Sequence, residues 1–308
     1  MLRRLLLYLS GASWAKQLVS GFFLSRRVAR RFVAGETMLE ALDATRRLNE
    51  SGLLVTLDYL GESVNKAEDT ESIVTTYQQL IDSIAMQKLQ SGVSLKLTHL
   101  GLDISESLCV TNLRHILSAA QEKGNIPVTI DMESSYYTDT TLRIYRTMRE
   151  EYGFANVGTV IQSYLYRSEE DMRQLAAEGA HIRLCKGAYL ESPEIAYPDK
   201  ADVDASFVRL TDDFLQAPEP AYLCIATHDE NMIQAAQQSV KKYAVSQDRF
   251  EFQMLYGIRS NRHAELAAEG FQMRVYVPFG ESWYPYFMRR LAERPANLWF
   301  FARSLFSG

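Results

Sequence analysis

Short apolar or alternating runs recur along this chain, at residues 53–57, 94–97, 127–131, 159–162, 181–185, 222–226, 250–255 and 273–277. Runs this short, bounded by polar and turn residues, predict eight strands. Between them lie longer stretches whose apolar residues recur every three or four positions, at 70–90, 109–121, 140–151, 168–178, 203–216, 230–241 and 260–268, and these predict amphipathic helices. Gly92, Gly124, Gly153, Gly179 and Gly270 follow several of the helical stretches, where a glycine can end a helix and lead into the next strand. Eight β-then-α repeats in about 250 residues match a closed (βα)8 TIM barrel, an α/β fold. A doubly wound sheet is the competing architecture, but no GxG occurs anywhere in the chain, so the dinucleotide fingerprint of that fold is missing. Any flavin or nicotinamide must be held in another way.

With 308 residues, 47% hydrophobic and 23% charged, the chain can build one large barrel or two smaller domains, and no Gly/Ser-rich linker divides it. The net charge of −5 is unevenly spread: Arg3, Arg4, Lys16, Arg26, Arg27, Arg30 and Arg31 all precede the first acidic residue, Glu36. Apolar residues at Leu2, Leu5, Leu6 and Leu9, and again at Leu18, Val19, Phe22 and Phe23, have helical spacing, so this leading segment reads as basic amphipathic helices. Lys16 interrupts the run, and a spanning helix needs roughly 20 mostly apolar residues. Arg3-Arg4 followed by Leu5-Leu6-Leu7 has the start of a secretory signal, but its apolar core is short and the basic pattern continues beyond it. The expectation is that residues 1–50 form amphipathic helices packed on or near a barrel of residues 51–308, with contact to an anionic membrane surface as an addition. A helix packed on its own domain, with its basic residues in solvent, is the plainer alternative.

Cys109, Cys185 and Cys224 form no CxxC pair, which argues against a disulfide framework and for a reducing, cytoplasmic setting. No HExxH or Cys/His cluster is present, so no metal is expected, nor is a nucleic-acid partner.

Barrel enzymes place their chemistry where strands end and βα loops begin. Strand one runs into Asp58-Tyr-Leu-Gly-Glu62; strand two carries Lys96 with Thr98 and His99 behind it; strand three ends at Asp131-Met-Glu133. Gln162 closes strand four, and Arg183-Leu-Cys-Lys-Gly-Ala-Tyr189 covers the end of strand five. Strand six delivers Thr227-His-Asp229, strand seven Tyr256 and Arg259, and strand eight Tyr276. Polar groups thus converge at one end of the barrel. On the last helical stretch, Tyr286-Phe-Met-Arg-Arg-Leu-Ala-Glu293, residues Tyr286, Arg289, Arg290 and Glu293 share one face. Two guanidiniums form a fork suited to a small carboxylate, and a glutamate one turn away can hold one of them; an exposed helix with ordinary salt bridges is the alternative.

These residues resemble the proline dehydrogenase family, in both its one-domain bacterial forms and the corresponding domain of bifunctional proline utilisation proteins. The resemblance runs from about residue 36 onward and rests on Ser94-Leu-Lys-Leu97, Asp131-Met-Glu133, Ile161-Gln-Ser163, Arg183-Leu-Cys-Lys-Gly-Ala-Tyr189, Ala226-Thr-His228, Arg274-Val-Tyr276 and Tyr286-Phe-Met-Arg-Arg-Leu-Ala-Glu293. It implies a distorted (βα)8 barrel carrying FAD, with the final helix over the barrel mouth. It also implies that Arg289, Arg290 and Lys96 bind the carboxylate of L-proline, that Tyr276 and Tyr286 wall its ring, and that Glu293 orients Arg290. Glu62 matches a glutamate that pairs with the first arginine and gates the pocket. Met132, Gln162, Lys186, Gly187, Ala188, Thr227 and His228 match flavin-contacting positions, Met132 through its backbone, and Gly187 would let the backbone approach the cofactor. Arg183 matches an arginine near flavin N5; Asp131 could orient Lys96 or Arg183 or accept a proton, and orientation by electrostatics is the favoured role. The reaction implied is oxidation of L-proline to Δ1-pyrroline-5-carboxylate by hydride transfer from ring C5 to flavin N5, with a membrane quinone as electron acceptor. The basic N-terminal helices would suit peripheral contact at the inner face of that membrane.

Leu190 departs from the resemblance, since an aromatic is more usual there, and it opens a long βα loop containing Pro193 and Pro198. A methylenetetrahydrofolate-reductase-like flavin barrel is the second enzyme reading, against which the arginine fork argues, because a pterin calls for a broad stacking surface. A non-catalytic barrel serving as a membrane or partner adaptor is the third.

Overall fold

The computed structural model describes residues 30–61 and 64–293; of Arg289 and residues 291–293 it describes the backbone alone. Eight parallel strands close in sequence order, β1 (Leu54–Tyr59), β2 (Ser91–Leu95), β3 (Val128–Ile130), β4 (Val157–Gln162), β5 (His181–Cys185), β6 (Tyr222–Ala226), β7 (Phe250–Leu255) and β8 (Met273–Phe279), with β8 pairing back onto β1. All eight expected strands are present. Three coincide with the expected limits, and the sequence boundaries for the others miss by a few residues, because polar residues within a buried strand break the apolar run.

Helix α1 (Met38–Glu50) precedes the barrel, and α2 (Ala67–Met86), α3 (Glu106–Glu122), α4 (Thr138–Arg146), α5 (Ser168–Ala177), α6 (Lys200–Phe214), α7 (Glu230–Lys242), α8 (Ser260–Ala268) and α9 (Trp283–Glu293) follow β1 to β8 in turn. Most expected helices begin a few residues early because their first turns are polar and carry no apolar period. Ala67-Glu-Asp69 and Glu106-Ser107 have acids that suit the positive end of a helix dipole. In α2, Ile73, Val74, Tyr77, Leu80, Ile81 and Ile84 are buried at spacings of three and four, so one stripe packs on the barrel. Full burial of each such side chain stabilises by about 1.5–3 kcal/mol.

Helix α1 starts with a reciprocal cap: Thr37 Oγ1 accepts from Glu40 N, while Glu40 Oε2 accepts from Thr37 N at 3.1 Å. It packs on both β1 and β8, the outer position at the closure of the barrel. Just before it, Ala34 N donates to Pro278 O and Gly280 N to Gly35 O, which ties residues 34–35 to the outgoing end of β8. Phe32 then meets Phe287 of α9, and Trp283 Nε1 donates to Glu36 Oε1 at 3.1 Å. The final helix therefore leaves the mouth end of β8 and packs on the segment that leads into the first. Of residues 1–50, expected to form amphipathic helices, residues 1–29 lie outside the described residues. Among the described residues no helix is long and apolar enough to cross a membrane.

Gly92 corrects one expectation. It sits inside β2, well past the end of α2, and a Cβ there would meet Pro127 O at 2.7 Å, so the glycine permits close approach of backbone and ends no helix. Gly124, Gly153, Gly179 and Gly270 do have positive φ behind helical segments.

Candidate active site

Along β5, β7 and β8 apolar residues alternate with polar ones that bond across the sheet. Ile182 and Leu184, Phe250, Phe252 and Met254, and Val275 and Val277 face the helices, whereas Arg183, Glu251, Gln253, Arg274 and Tyr276 bond to partners on other strands. Arg183 on β5 reaches Ser94 on β2 and Asp131 behind β3, and Tyr276 on β8 also reaches Asp131; such cross-barrel contacts are possible only through the interior. Interiors of such barrels are usually filled by branched apolar side chains. This one is polar.

Asp131 is the hub. Its Oδ1 accepts from Arg183 Nη1 at 2.7 Å and Ser94 Oγ at 2.7 Å; its Oδ2 accepts from Tyr276 OH at 2.6 Å and lies 3.7 Å from Lys96 Nζ. Lys96, one residue past β2, stands between Asp131 and Asp58, whose Oδ2 is 3.3 Å away. Two carboxylates and two cations therefore balance in a nearly dry layer. Burial opposes ionisation of Asp131, but the Arg183 and Lys96 charges and the Tyr276 and Ser94 donors outweigh it and hold its carboxyl below the ordinary range. Burial pushes Asp58 up, with Lys96 opposing and Asp131 adding to the rise. Burial, reinforced by Asp131 and Asp58, drives the Tyr276 phenol upward, so it remains a donor. The Tyr276 ring also lies under Arg183, 5.1 Å from Cζ to centroid.

Arg183 is 6% exposed. Nε donates to Gln253 Oε1 at 2.6 Å and Nη1 to Asp131 and Ser94, while Nη2 is buried with no hydrogen-bond partner among the described residues.

The remaining expected site residues are placed as follows. Gln162 Nε2 donates to Glu133 O at 2.9 Å, and Met132, next to Glu133 in sequence, is buried. His228 Nε2 accepts from Leu255 N at 2.9 Å, which puts the proton of the neutral ring on Nδ1. Thr227 Oγ1 accepts from Asp229 N at 3.1 Å. Lys186 Nζ is gripped by Asp204 at 2.5 Å and Asp229 at 2.8 Å, so its ammonium is already paired within the protein. Ala188 is half-buried in the loop after β5. Gly187 also has a reason for being glycine within the protein itself: φ is +111°, and a Cβ would meet the Tyr164 ring at 2.3 Å. Tyr286 is buried on α9 with the Arg290 guanidinium 5.1 Å from its ring centroid. Glu62 lies outside the described residues, as do the side chains of Arg289 and Glu293.

The loop after β5 is pinned. Glu191 accepts from Ser135 N at 2.8 Å and Ser135 Oγ at 2.6 Å, and Tyr197 N donates to Tyr164 O at 2.8 Å.

Sequence reasoning named Asp58, Ser94 and Arg274 only in passing and missed Gln253 and Glu251 as site residues. Their signal was present: Phe250-Glu-Phe-Gln253 sets polar residues at alternate positions of a strand in a parallel sheet that is covered on both faces.

A family model described as proline dehydrogenase matches residues 41–303. The chain is 45% identical over 305 residues to proline dehydrogenase 1 of Bacillus subtilis, covering 99% of each. It is 41% identical over 284 residues to proline dehydrogenase of Deinococcus radiodurans, covering 91% of each. Among solved structures, proline utilization A from Bdellovibrio bacteriovorus, inactivated by N-propargylglycine, superposes with a TM-score of 0.81 at 26% identity, over 87% of this chain and 33% of that one. Together with a closed barrel whose charged residues gather where its strands end, these likenesses place the chain in the proline dehydrogenase family, an enzyme that oxidises proline.

Proposed function

We propose that the protein uses FAD to oxidise L-proline to Δ1-pyrroline-5-carboxylate and passes the electrons to a quinone. The observation that carries the cofactor part of this reading is the buried Nη2 of Arg183. A buried charged donor left unpaired costs upwards of about 1–3 kcal/mol, and an electron-rich ring edge beside it would satisfy it. The residues present fit a flavin in that respect. Gln162, Lys186, Gly187, Ala188, Thr227 and His228, with the backbone of Met132, would hold it, Lys186 being set in place by Asp204 and Asp229. When bound, FAD supplies the hydride acceptor and the exit for electrons.

The protein's own residues supply position and charge. Arg289 and Arg290 would clamp the proline carboxylate with Lys96 as third cation, Glu293 and Glu62 would orient the arginines, and Tyr276 and Tyr286 would wall the ring. Asp131 accepts from three donors and faces a fourth, so it acts by fixing Arg183, Lys96 and Tyr276 and not as a free base. The Arg183 cation is fixed in advance and needs no reorganisation as negative charge arrives.

The test is an anaerobic absorbance spectrum of the purified protein before and after L-proline. Loss of the oxidised flavin band is the expected result. A preparation with no flavin, or a flavin band that proline leaves unchanged, overturns the proposal.

A further inference from the structure

Beneath Asp131 the interior holds a second ion pair. Arg274 on β8 donates Nε to Glu251 Oε1 at 2.6 Å and Nη2 to Oε2 at 2.9 Å, while its Nη1 donates to Val55 O at 2.9 Å. Glu251 is 1% exposed. Gln253, two residues on along β7 and thus on the same face, donates Nε2 to Glu251 Oε1 at 2.5 Å and accepts from Arg183 Nε at 2.6 Å.

We propose that Gln253, held by the Glu251–Arg274 pair, is a positioning residue that fixes the Arg183 guanidinium plane for its work at the cofactor. Chemistry dictates the choice of side chain. The Arg183 nitrogen can only donate and the Glu251 carboxylate can only accept, so the residue between them must accept at one end and donate at the other. An amide does both without charge, and its orientation is forced by its neighbours. With Nε held by Gln253 and Nη1 by Asp131 and Ser94, the plane of the guanidinium is set from two sides and only Nη2 is left over.

Stability alone is a poor account of this arrangement. A buried ion pair is often no better than apolar side chains of equal volume, and apolar layers are what such barrels ordinarily use. The four-residue relay Arg274, Glu251, Gln253, Arg183 instead connects the wall at β8 and β1 to the one cation with a buried unpartnered nitrogen among the residues that meet Asp131. The inference rests on the preceding reading in one respect, that Arg183 faces a flavin.

The experiment is a reductive titration of the flavin-loaded protein without proline, giving the two-electron midpoint potential of wild type, Gln253→Met, Arg183→Met and the double variant. Gln253→Met removes no charge. A tenfold fall in the equilibrium constant for reduction, about 30 mV for two electrons, is expected in the wild-type background, with no further fall in the Arg183→Met background. An unchanged potential, or the same shift in both backgrounds, overturns the proposal. Should Gln253→Met fail to load flavin, Glu251→Gln is read in its place. It removes a negative charge, which through space alone raises the potential, so a fall supports lost positioning and a rise overturns it. Because no proline is present, failure here is distinct from a flavin that proline does not bleach.

Discussion

Arg183 and Asp131 meet across the interior of the barrel, Nη1 to Oδ1 at 2.7 Å, although 52 residues separate them in sequence. The pair sits in the layer where Ser94, Lys96 and Tyr276 also converge, so the charge on Asp131 is shared among four groups. Asp131→Asn keeps the shape, removes the charge and turns one acceptor into a donor. Loss of one charge-assisted bond of about 1.5–3 kcal/mol corresponds to a fall of roughly 10- to 150-fold in kcat/KM for proline. Steady-state kinetics decide it, and wild-type kcat/KM would contradict the role given to Asp131.

The Glu251–Arg274 pair yields a prediction about stability. Burial opposes Glu251 ionisation, but Arg274 outweighs it and brings the carboxyl down to about 2. Arg274→Met strands that charge and is expected to cost about 3–5 kcal/mol. Replacing both residues by methionine should cost less than the single change. Urea denaturation midpoints of the three proteins test this, and equal or greater loss in the double variant would count against it.

Acid sensitivity should trace partly to His181. Burial lowers its ring from 6.5 to about 4, with its Nε2 3.1 Å from Cys224 Sγ. Between those values the unfolded chain binds a proton that the folded one does not, so stability falls as the pH falls, by about 1.4 kcal/mol per pH unit. His181→Asn removes the titrating group. Its denaturation midpoint should fall less steeply than that of wild type between pH 6.5 and 4, and parallel profiles would refute the assignment.

Arg290 is half-buried on α9 against Tyr286. Arg290→Lys keeps the charge and loses the planar fork, so KM for proline is expected to rise about tenfold or more, with kcat less affected. An unchanged KM would remove Arg290 from the carboxylate site.

Membrane contact is tested by deleting residues 1–29 and not the whole basic segment, since Phe32, Ala34, Gly35 and Glu36 hold α9 and the end of β8. The truncated protein should retain proline oxidation with a soluble electron acceptor and bind anionic vesicles more weakly. Equal binding by both proteins would end the expectation that the basic leading segment docks on a membrane.

The sequence by itself determined the order of elements. Eight apolar runs alternating with amphipathic stretches are local patterns, set by side-chain periods of two and 3.6, and at this length they match a parallel barrel, with a doubly wound sheet as the competitor. It also determined which strand ends carry polar groups, and hence Lys96, Asp131, Arg183 and Tyr276 as a set. Only the tertiary structure decided how they pair. Asp131 serves Arg183, Lys96, Ser94 and Tyr276 at once because strands two, three, five and eight face a common interior. The relay through Gln253 and Glu251 was equally hidden, since closure of the sheet decides which alternate positions point inward and which meet helices. Gly92 and Gly187 make the same point in small: sequence can mark a glycine, but the atom that excludes a Cβ, Pro127 O in one case and the Tyr164 ring in the other, comes from a distant part of the chain.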